Sequence, residues 1–280
     1  MVNFPKLTIV PSENLVIHEK HDHQRTAPLI RGMKSTNIIR NPPIVAPLDD
    51  GSGRYMVLDG ANRTMAIKKM GIPHIVVQVI DPTDQGLRLH SWNHVIWEHN
   101  PIRFMKNFAG ISGLRLALSS GPISKPDIYQ TSHLAVVHNC RSRKYLLETQ
   151  ALDLRTRVQL LNNLVDCYRE RGRLDRTSTD DVNFLSQTYP SFCGLIIFPN
   201  FSLHDLFTLS GEGFLLPTGI TRFTISPRAL HINYPLAELL SDRTIDEKNE
   251  QLRESIQDKI NRKSVRFYPE PTYIFDEASE

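Results

Sequence analysis

The chain has 280 residues, enough for one large domain or two smaller ones, and its formal charge of +3 is too small to indicate nucleic-acid binding by itself. Its 40% hydrophobic and 22% charged residues are typical of a globular protein. The three cysteines form no CxxC pair, which argues against a zinc site or a disulfide framework. No apolar run approaches 18 residues and no signal-peptide pattern opens the chain, so we expect no membrane association and a reducing cytoplasm.

Four short apolar runs in the first eighty residues predict strands. Between the first two runs, residues 26–39 predict a helix that Pro28 and Gly32 weaken. Together these segments indicate a compact α+β or α/β unit. The predicted strands are Lys6–Val10, Ile44–Pro47, Tyr55–Leu58 and Ile75–Ile80.

A polar cluster follows the apolar residues that begin at Leu15. Glu19 lies in this cluster, between His18 and His21, and a carboxylate here is a candidate base for a substrate hydroxyl. The alternation of His18, His21 and His23 is weak support for a zinc site, because a solvated polar loop gives the same pattern.

The segment that follows the third predicted strand is the main candidate site. It opens with Asp59-Gly60 and continues as a helix that Gly71 ends, with Ala66, Ile67 and Met70 on one face and Lys68 and Lys69 facing water. A helix N-terminus at such a junction offers backbone N–H groups and a positive dipole end to a phosphate. The alternative is that Asp59 merely caps the helix and pairs with Arg63.

From residue 85 to residue 132 the pattern is less regular, and Gly110–Lys125 is expected to be a loop. This region contains Trp92 and His94. The sequence is consistent with two roles for them: they form the wall of a small-ligand pocket, or they pack in the core. Further along, the sequence predicts two strands, Leu134–His138 and Leu195–Phe198, and two extended runs around Ser226-Pro227. It also predicts four helices, Ala151–Arg171, Thr179–Tyr189, Ser202–Leu209 and Asp246–Lys263.

Thr221, Arg222 and Arg228 lie in a segment that contains little acidic residue. The arginines are candidates for a bidentate grip on a phosphate or a carboxylate. Pairing with the acidic C-terminal helix is the alternative. The residue patterns by themselves therefore indicate an α+β protein with a candidate phosphate site.

Several motifs, taken in order, resemble the ParB N-terminal/sulfiredoxin superfamily and, within it, the free L-serine kinases. They are IHEK from Ile17, NPPIV from Asn41, YMVLDGANRTMAIKKMG from Tyr55, SWNH from Ser91 and PTGITRFTISPRALHINYPLAELL from Pro217. The last two resemble the branch found in siderophore biosynthesis, where O-phospho-L-serine feeds 2,3-diaminopropionate synthesis. The resemblance covers roughly residues 7–275 and is weakest in the middle third.

The resemblance implies an α+β fold with a ParB/sulfiredoxin-like nucleotide-binding unit at residues 1–85 and an interwoven α+β part at residues 86–280. It also implies transfer of the terminal phosphate of ATP, or ADP, to the hydroxyl of free L-serine with Mg²⁺. The implied residues are Glu19 as general base, Asp59 as Mg²⁺ ligand or orienting group, Gly60, Ala61, Asn62, Arg63 and Thr64 at the nucleotide, and Trp92, His94, Thr221, Arg222 and Arg228 at serine or the transferred phosphate.

One position departs from the family pattern. These kinases commonly have a histidine immediately before the motif arginine, and this chain has Asn62, which leaves open a related hydroxy amino acid as substrate. Sulfiredoxins place a catalytic cysteine in the same turn, where Ala61 and Asn62 supply no thiol. A ParB-like nucleotide-sensing or DNA-binding regulator is the alternative function, although no helix-turn-helix is evident. The oligomeric state is left open.

Overall fold

The computed structural model describes residues 4–21, 23–121, 125–129 and 132–268. Its strands, in chain order, are β1 (Lys6–Pro11), β2 (Leu15–Ile17), β3 (Ile38–Ile39), β4 (Ile44–Pro47), β5 (Tyr55–Asp59), β6 (His74–Val79), β7 (Leu87–Ser91), β8 (Asn93–Trp97), β9 (Arg115–Ser119), β10 (His133–Asn139), β11 (Lys144–Glu148), β12 (Arg173–Thr177), β13 (Phe192–Ile197), β14 (Thr221–Ile225) and β15 (Tyr234–Pro235). Its α-helices are α1 (His23–Thr36), α2 (Ala61–Lys69), α3 (Pro101–Ala109), α4 (Leu154–Asp166), α5 (Val182–Thr188), α6 (Leu203–Gly211), α7 (Leu236–Leu240) and α8 (Ile245–Asn261).

Two larger sheets organise these elements into the predicted α+β fold. The first has strand order β1-β6-β4-β5-β2, with β2 parallel to β5 and β4 antiparallel to it. The second has the order β12-β8-β13-β10-β11-β9 and its pairings are antiparallel. Two short ribbons, β14-β7 and β15-β3, lie outside the larger sheets. Among the described residues, no helix combines the length and the apolar character needed to cross a membrane.

Helices α7 and α8 pack against the first sheet. The α8 side chain of Asn249 accepts a hydrogen bond from the backbone N–H of Ile9 (2.8 Å) and donates one to its carbonyl (2.9 Å), so an amide takes the place of a neighbouring strand on β1. Leu239 and Leu252 are buried in the same core as Ile9. Residues after 85 therefore complete the first core, and the predicted boundary at residue 85 stays a prediction.

Buried apolar residues explain why the junction segment forms a strand, a turn and a helix. Met56 and Val57 of β5 are fully buried, as are Ala66 and Ile67 on the inner face of α2. The predicted exposure of Lys68 is wrong in part, because its ammonium group donates to the carbonyl of Leu15 (2.7 Å) and its carbon chain is partly covered.

The predicted loop at Gly110–Lys125 is also wrong in part, because β9 lies within it and pairs with β11; residues 122–124 lie outside the described residues. The strand β9 is at the edge of its sheet and is only partly buried, so its sequence lacks a clean apolar alternation. The irregular stretch before it contains β7, β8 and α3, whose first turn is capped by the side chain of Asn100.

Candidate active site

A cleft of about 1100 Å³ lies where the segment after β2, the β5–α2 junction and strand β14 meet. Its walls therefore combine residues that are more than two hundred positions apart in the chain. Most of the predicted site residues line it. They are Glu19, Asp59, Gly60, Ala61, Asn62, Arg63, Trp92, Thr221, Arg222 and Arg228.

Glu19 is fixed on one wall of the cleft by donors from the first residue of β14 and from Gly219 just before it. Its carboxylate accepts hydrogen bonds from the backbone N–H groups of Gly219 (2.6 Å) and Thr221 (2.6 Å) and from the hydroxyl of Thr221. The backbone around Glu19 pairs with Leu216 in a short parallel bridge. A carboxylate with three donors and 13% side-chain exposure is held in one orientation toward the cleft.

His18 lies behind this carboxylate and is buried. One of its ring nitrogens, Nδ1, contacts the carbonyl oxygen of Val57 (2.7 Å), and the other, Nε2, contacts the hydroxyl of Thr221 (2.7 Å). Both nitrogens are therefore engaged by the protein, and the described residues contain no group of three or more potential metal ligands. The side chain of His23 lies outside the described residues, and the weak zinc interpretation gains no support.

Gly219 connects the Glu19 wall to the protein interior. Its backbone has φ +77°, and a Cβ atom there would lie 2.3 Å from Nε of Arg176, so only glycine fits. Its carbonyl contacts Nε2 of His94 (3.0 Å), whose Nδ1 contacts the hydroxyl of Tyr168 (2.8 Å). A carbonyl requires a donor, so Nε2 carries the hydrogen and His94 is the neutral tautomer that accepts from Tyr168.

Burial explains the charge state of His94. The imidazole is fully buried, and burial lowers its pKa to about 3, with the nearby Arg176 charge acting in the same direction and the Gly219 carbonyl against it. His94 therefore lies below the cleft wall and supports Gly219. The predicted direct contact between His94 and a substrate does not fit this position.

On the facing wall, the turn between β5 and α2 has the form of an anion cradle. Gly60 has φ +97°, and a Cβ atom there would approach the guanidinium of Arg63 to 2.8 Å and the Cα atom of Pro43 to 3.1 Å. No side chain caps the start of α2. Because the first backbone N–H groups of a helix have no partner within it, this turn is suited to an anionic group. Of the alternative, the cap by Asp59 is absent, whereas the pairing of Asp59 with Arg63 is present.

Asp59 lies between two arginines at this turn. Its Oδ2 atom accepts from Arg63 (3.2 Å) and from Arg228, which comes from the segment after β14. Burial lowers the pKa of Arg63, and the Asp59 charge opposes that effect. Arg228 therefore pairs with Asp59 and not with the acidic C-terminal helix, which was the alternative partner.

The cleft is completed by an aromatic and cationic pair. The guanidinium of Arg222 lies 4.5 Å from the ring centroid of Trp92, within the range of a cation–π contact. The backbone N–H of Trp92 donates to the carbonyl of Ile220 (2.9 Å), which connects the two segments that carry the pair. Both side chains line the cleft and are partly exposed.

The remaining predicted nucleotide residue, Thr64, is fully buried and is not part of the cleft lining. Its position in the first turn of α2, where its N–H contacts the Gly60 carbonyl (2.9 Å), directs the side chain toward the core. Gly219 lies in the PTGITRF stretch, and that motif alone does not indicate its position behind Glu19. Arg176 lines the cleft from β12, and its sequence surroundings carried no signal.

A magnesium ion fits the Asp59 side of the cleft. Mg²⁺ commonly binds proteins through one or two carboxylates and keeps its remaining positions for water and substrate phosphates. Asp59 offers such a carboxylate, 42% exposed, beside the Gly60 cradle, and among the described residues there is no preformed cluster of three or more ligands. This donor set suits a metal ion that arrives with a nucleotide.

The fold of this chain is that of the solved free serine kinases. The structure of SbnI with a C-terminal truncation from Staphylococcus aureus matches with a TM-score of 0.71, at 21% identity over 91% of this chain and 97% of that one. A free serine kinase in complex with AMP matches with a TM-score of 0.70, at 12% identity over 85% of this chain and 95% of that one.

Curated proteins with similar sequences are also L-serine kinases. The ATP-dependent L-serine kinase SbnI of Staphylococcus aureus is 25% identical over 279 residues, which cover 97% of each chain. An ATP-dependent L-serine kinase of Desulfurococcus mucosus is 30% identical over 84 residues, 30% of this chain and 32% of that protein. No protein-family model matches the chain. The resemblance to the free serine kinases seen in the sequence motifs is confirmed.

Proposed function

We propose that this protein is an ATP-dependent kinase of free L-serine that forms O-phospho-L-serine. The observation that carries the proposal is the arrangement of the cleft: a fixed carboxylate, Glu19, shares it with an anion cradle, Gly60–Arg63, and two arginine-bearing segments. The full-length similarity to an ATP-dependent L-serine kinase supports the substrate and the donor. It also supports the siderophore branch that the sequence motifs imply.

Glu19 is the general base of the proposed reaction. As the serine oxygen attacks the terminal phosphorus, its proton passes to the Glu19 carboxylate, the new P–O bond forms and the bond to the ADP oxygen breaks. The donors that hold Glu19 leave lone pairs of the carboxylate oxygens for this proton. The fixed orientation lowers the entropic cost of placing the base against the hydroxyl.

The nucleotide phosphates bind at the opposite wall. The N–H groups at the start of α2 and the guanidinium of Arg63 face the phosphate oxygens, and glycine at position 60 leaves room for that guanidinium beside the turn. Arg228 exchanges its ion pair with Asp59 for a phosphate oxygen, which releases the Asp59 carboxylate. This exchange needs no large movement, because Arg228 and Asp59 both line the cleft.

Asp59 is the residue that would hold a Mg²⁺ ion bound to the nucleotide. The ion supplies positive charge that neutralises the phosphate oxygens during transfer. The protein's own part is to keep Asp59 beside the cradle, with Arg63 near enough to orient it (3.2 Å). Asn62 stands where these kinases commonly have a histidine. It offers hydrogen bonds at this wall but no positive charge.

Free serine binds between the cradle and the Trp92–Arg222 pair. Its carboxylate matches the planar guanidinium of Arg222, which the Trp92 ring holds in place. In this pose the serine hydroxyl points to Glu19, which lines the same cleft as Arg222.

One assay tests the proposal directly. The purified protein is incubated with MgATP or MgADP and with L-serine, L-threonine or L-homoserine, and phosphoamino acids are measured by mass spectrometry. We expect O-phospho-L-serine from serine and ATP at the highest kcat/KM. Bound nucleotide without any phosphoamino acid in all six combinations would contradict the kinase function and favour the nucleotide-sensing regulator, for which a salt-dependent gel shift with DNA is the positive test.

A further inference from the structure

His18, Thr221 and Glu19 form a continuous chain of side chains that leads from the cleft into the protein interior. The Thr221 hydroxyl contacts both the Glu19 carboxylate and Nε2 of His18 (2.7 Å), while the two ionisable groups are 3.9 Å apart. His18 is 5% exposed and Thr221 is 9% exposed. The ring of Phe223 meets that of His18 edge-on at 5.5 Å. Apart from the cleft itself, these contacts leave little access for water.

The hydrogen-bond partners of these three side chains determine which of their atoms carry hydrogen. The carbonyl oxygen of Val57 only accepts, so the ring nitrogen that faces it, Nδ1 of His18, carries a hydrogen. In a neutral imidazole, Nε2 is then an acceptor. Thr221 has one hydroxyl hydrogen, yet it faces two acceptors, Nε2 of His18 and the ionised Glu19 carboxylate. With neutral His18 and ionised Glu19, this network therefore lacks one hydrogen.

One added proton completes the network. If the proton is on Glu19, the carboxyl donates to Thr221, which donates to His18. If the proton is on His18, the imidazolium donates to Thr221, which donates to the Glu19 carboxylate. In both arrangements each contact between the three side chains joins one donor and one acceptor.

We propose that Thr221 and His18 form a proton relay behind Glu19, in which His18 is the final acceptor of the substrate proton. The inference rests on the proposed serine kinase function. When the Thr221 hydroxyl donates to Nε2 of His18, Oε1 of Glu19 keeps only the Thr221 backbone N–H as a donor, and the proton of the serine hydroxyl bonds to this oxygen. Glu19 then passes a proton to the Thr221 oxygen as the Thr221 hydrogen moves to Nε2 of His18.

Atoms and charges balance in this step. Serine loses one proton and gains the phosphoryl group, Glu19 returns to its ionised form, and His18 becomes an imidazolium whose two N–H groups face Val57 and Thr221. Because the proton no longer lies on the carboxyl group next to the product, Glu19 cannot immediately return it to the bridging oxygen. The proton leaves by the same path, through Glu19 to water, when the product has left the cleft.

Substitutions at Thr221 separate the hydroxyl from the shape of the side chain. Thr221→Val removes the hydroxyl and keeps the branched shape, and Thr221→Ser keeps the hydroxyl. With MgATP and L-serine, we expect Thr221→Val to lower kcat about tenfold or more and to change the KM for serine less than about twofold. Thr221→Ser is expected to restore most of the loss. Thr208→Val, at an exposed position of α6, is the matched control.

A double-mutant cycle tests whether His18 acts through Thr221. We expect His18→Gln to lower kcat by a factor similar to Thr221→Val and the double variant to be no slower than the slower single variant, because both changes break the same relay. Multiplied losses in the double variant, or equal losses in Thr221→Val and Thr221→Ser, would overturn the relay. An inactive wild-type protein contradicts the proposed kinase function itself, whereas an active wild type with a fully active Thr221→Val contradicts only the relay.

Discussion

The two walls of the cleft hold their carboxylates in opposite ways. Glu19 is bound by backbone N–H groups and a hydroxyl, and its side chain is 13% exposed. Asp59 is bound by two arginines, and its side chain is 42% exposed. The first arrangement uses neutral donors from rigid backbone, whereas the second uses charged side chains that can rotate to other partners.

This difference indicates that the two carboxylates have different roles in the cleft. Neutral backbone donors fix Glu19 in direction without supplying a counter-ion that would have to be displaced, which suits a group that takes up a proton. Flexible arginines at Asp59 neutralise it until stronger anions bind, which suits a group that exchanges ligands. The four substitutions below test this comparison, from the largest expected effect to the smallest.

The largest effect is expected at Glu19. Glu19→Gln keeps the size of the side chain but removes the base, so we expect turnover with MgATP and L-serine to fall by on the order of a thousandfold. Nucleotide affinity, measured by titration calorimetry, is expected to stay within about threefold, because Glu19 lies on the other wall. Glu212→Gln, an exposed carboxylate paired with Arg155 outside the cleft, is the control. Turnover close to that of wild type would exclude Glu19 as the base.

Asp59 provides the matching test of the charged wall. Asp59→Asn removes the proposed Mg²⁺ ligand, so we expect turnover to fall about a hundredfold and the Mg²⁺ concentration needed for half-maximal rate to rise. The control is Asp50→Asn, another partly exposed aspartate paired with an arginine, Arg54. An unchanged dependence of rate on Mg²⁺ would remove Asp59 from the metal site.

A smaller effect is expected from the arginine that is proposed to exchange partners. Arg228→Gln loses a phosphate contact but also frees Asp59, so we expect the KM for ATP to rise about tenfold with kcat lowered less than about threefold. The exposed Arg243, paired with Glu238 away from the cleft, supplies the control variant Arg243→Gln. If the KM for ATP is unaffected, Arg228 holds Asp59 only as a structural ion pair.

The smallest effect on turnover is expected at His94, where the measurement is stability. Burial lowers the pKa of this imidazole from 6.5 to about 3, so below pH 6.5 the unfolded chain binds a proton that the folded chain does not. Its contribution to stability is therefore complete above pH 6.5 and declines as the pH falls toward 3. Between pH 7 and pH 5, the wild type should lose roughly 2 kcal/mol more free energy of unfolding than His94→Gln.

Urea unfolding at both pH values gives this difference. His90→Gln, at an exposed position of β7, should keep the pH dependence of the wild type. A loss of stability that is the same in wild type and His94→Gln would mean that the imidazole takes up a proton within the folded protein.

Local patterns predicted the elements that carry the phosphate cradle. Strand β4 has the predicted bounds, and the apolar run before Asp59 and the helix after Gly60 were evident because their buried residues follow the strand and helix periods. Helices α6 and α8 begin at capping boxes formed by Ser202 and Thr244, each with an acidic residue three positions later. Strand β9 was missed because an edge strand has no strong burial pattern.

The sequence by itself determined the α+β class, the turn from Asp59 to Arg63 and, through its ordered motifs, the set of residues to search for a site. Only the tertiary structure decided that His94 supports the wall from below, that Thr64 faces the core, and that Arg228 binds Asp59. It also brought His18, Glu19 and Thr221 together across about two hundred residues. Periodicity and caps depend on neighbouring residues. The partners of a buried polar group depend instead on how distant strands pack, and a local pattern carries no information about that packing.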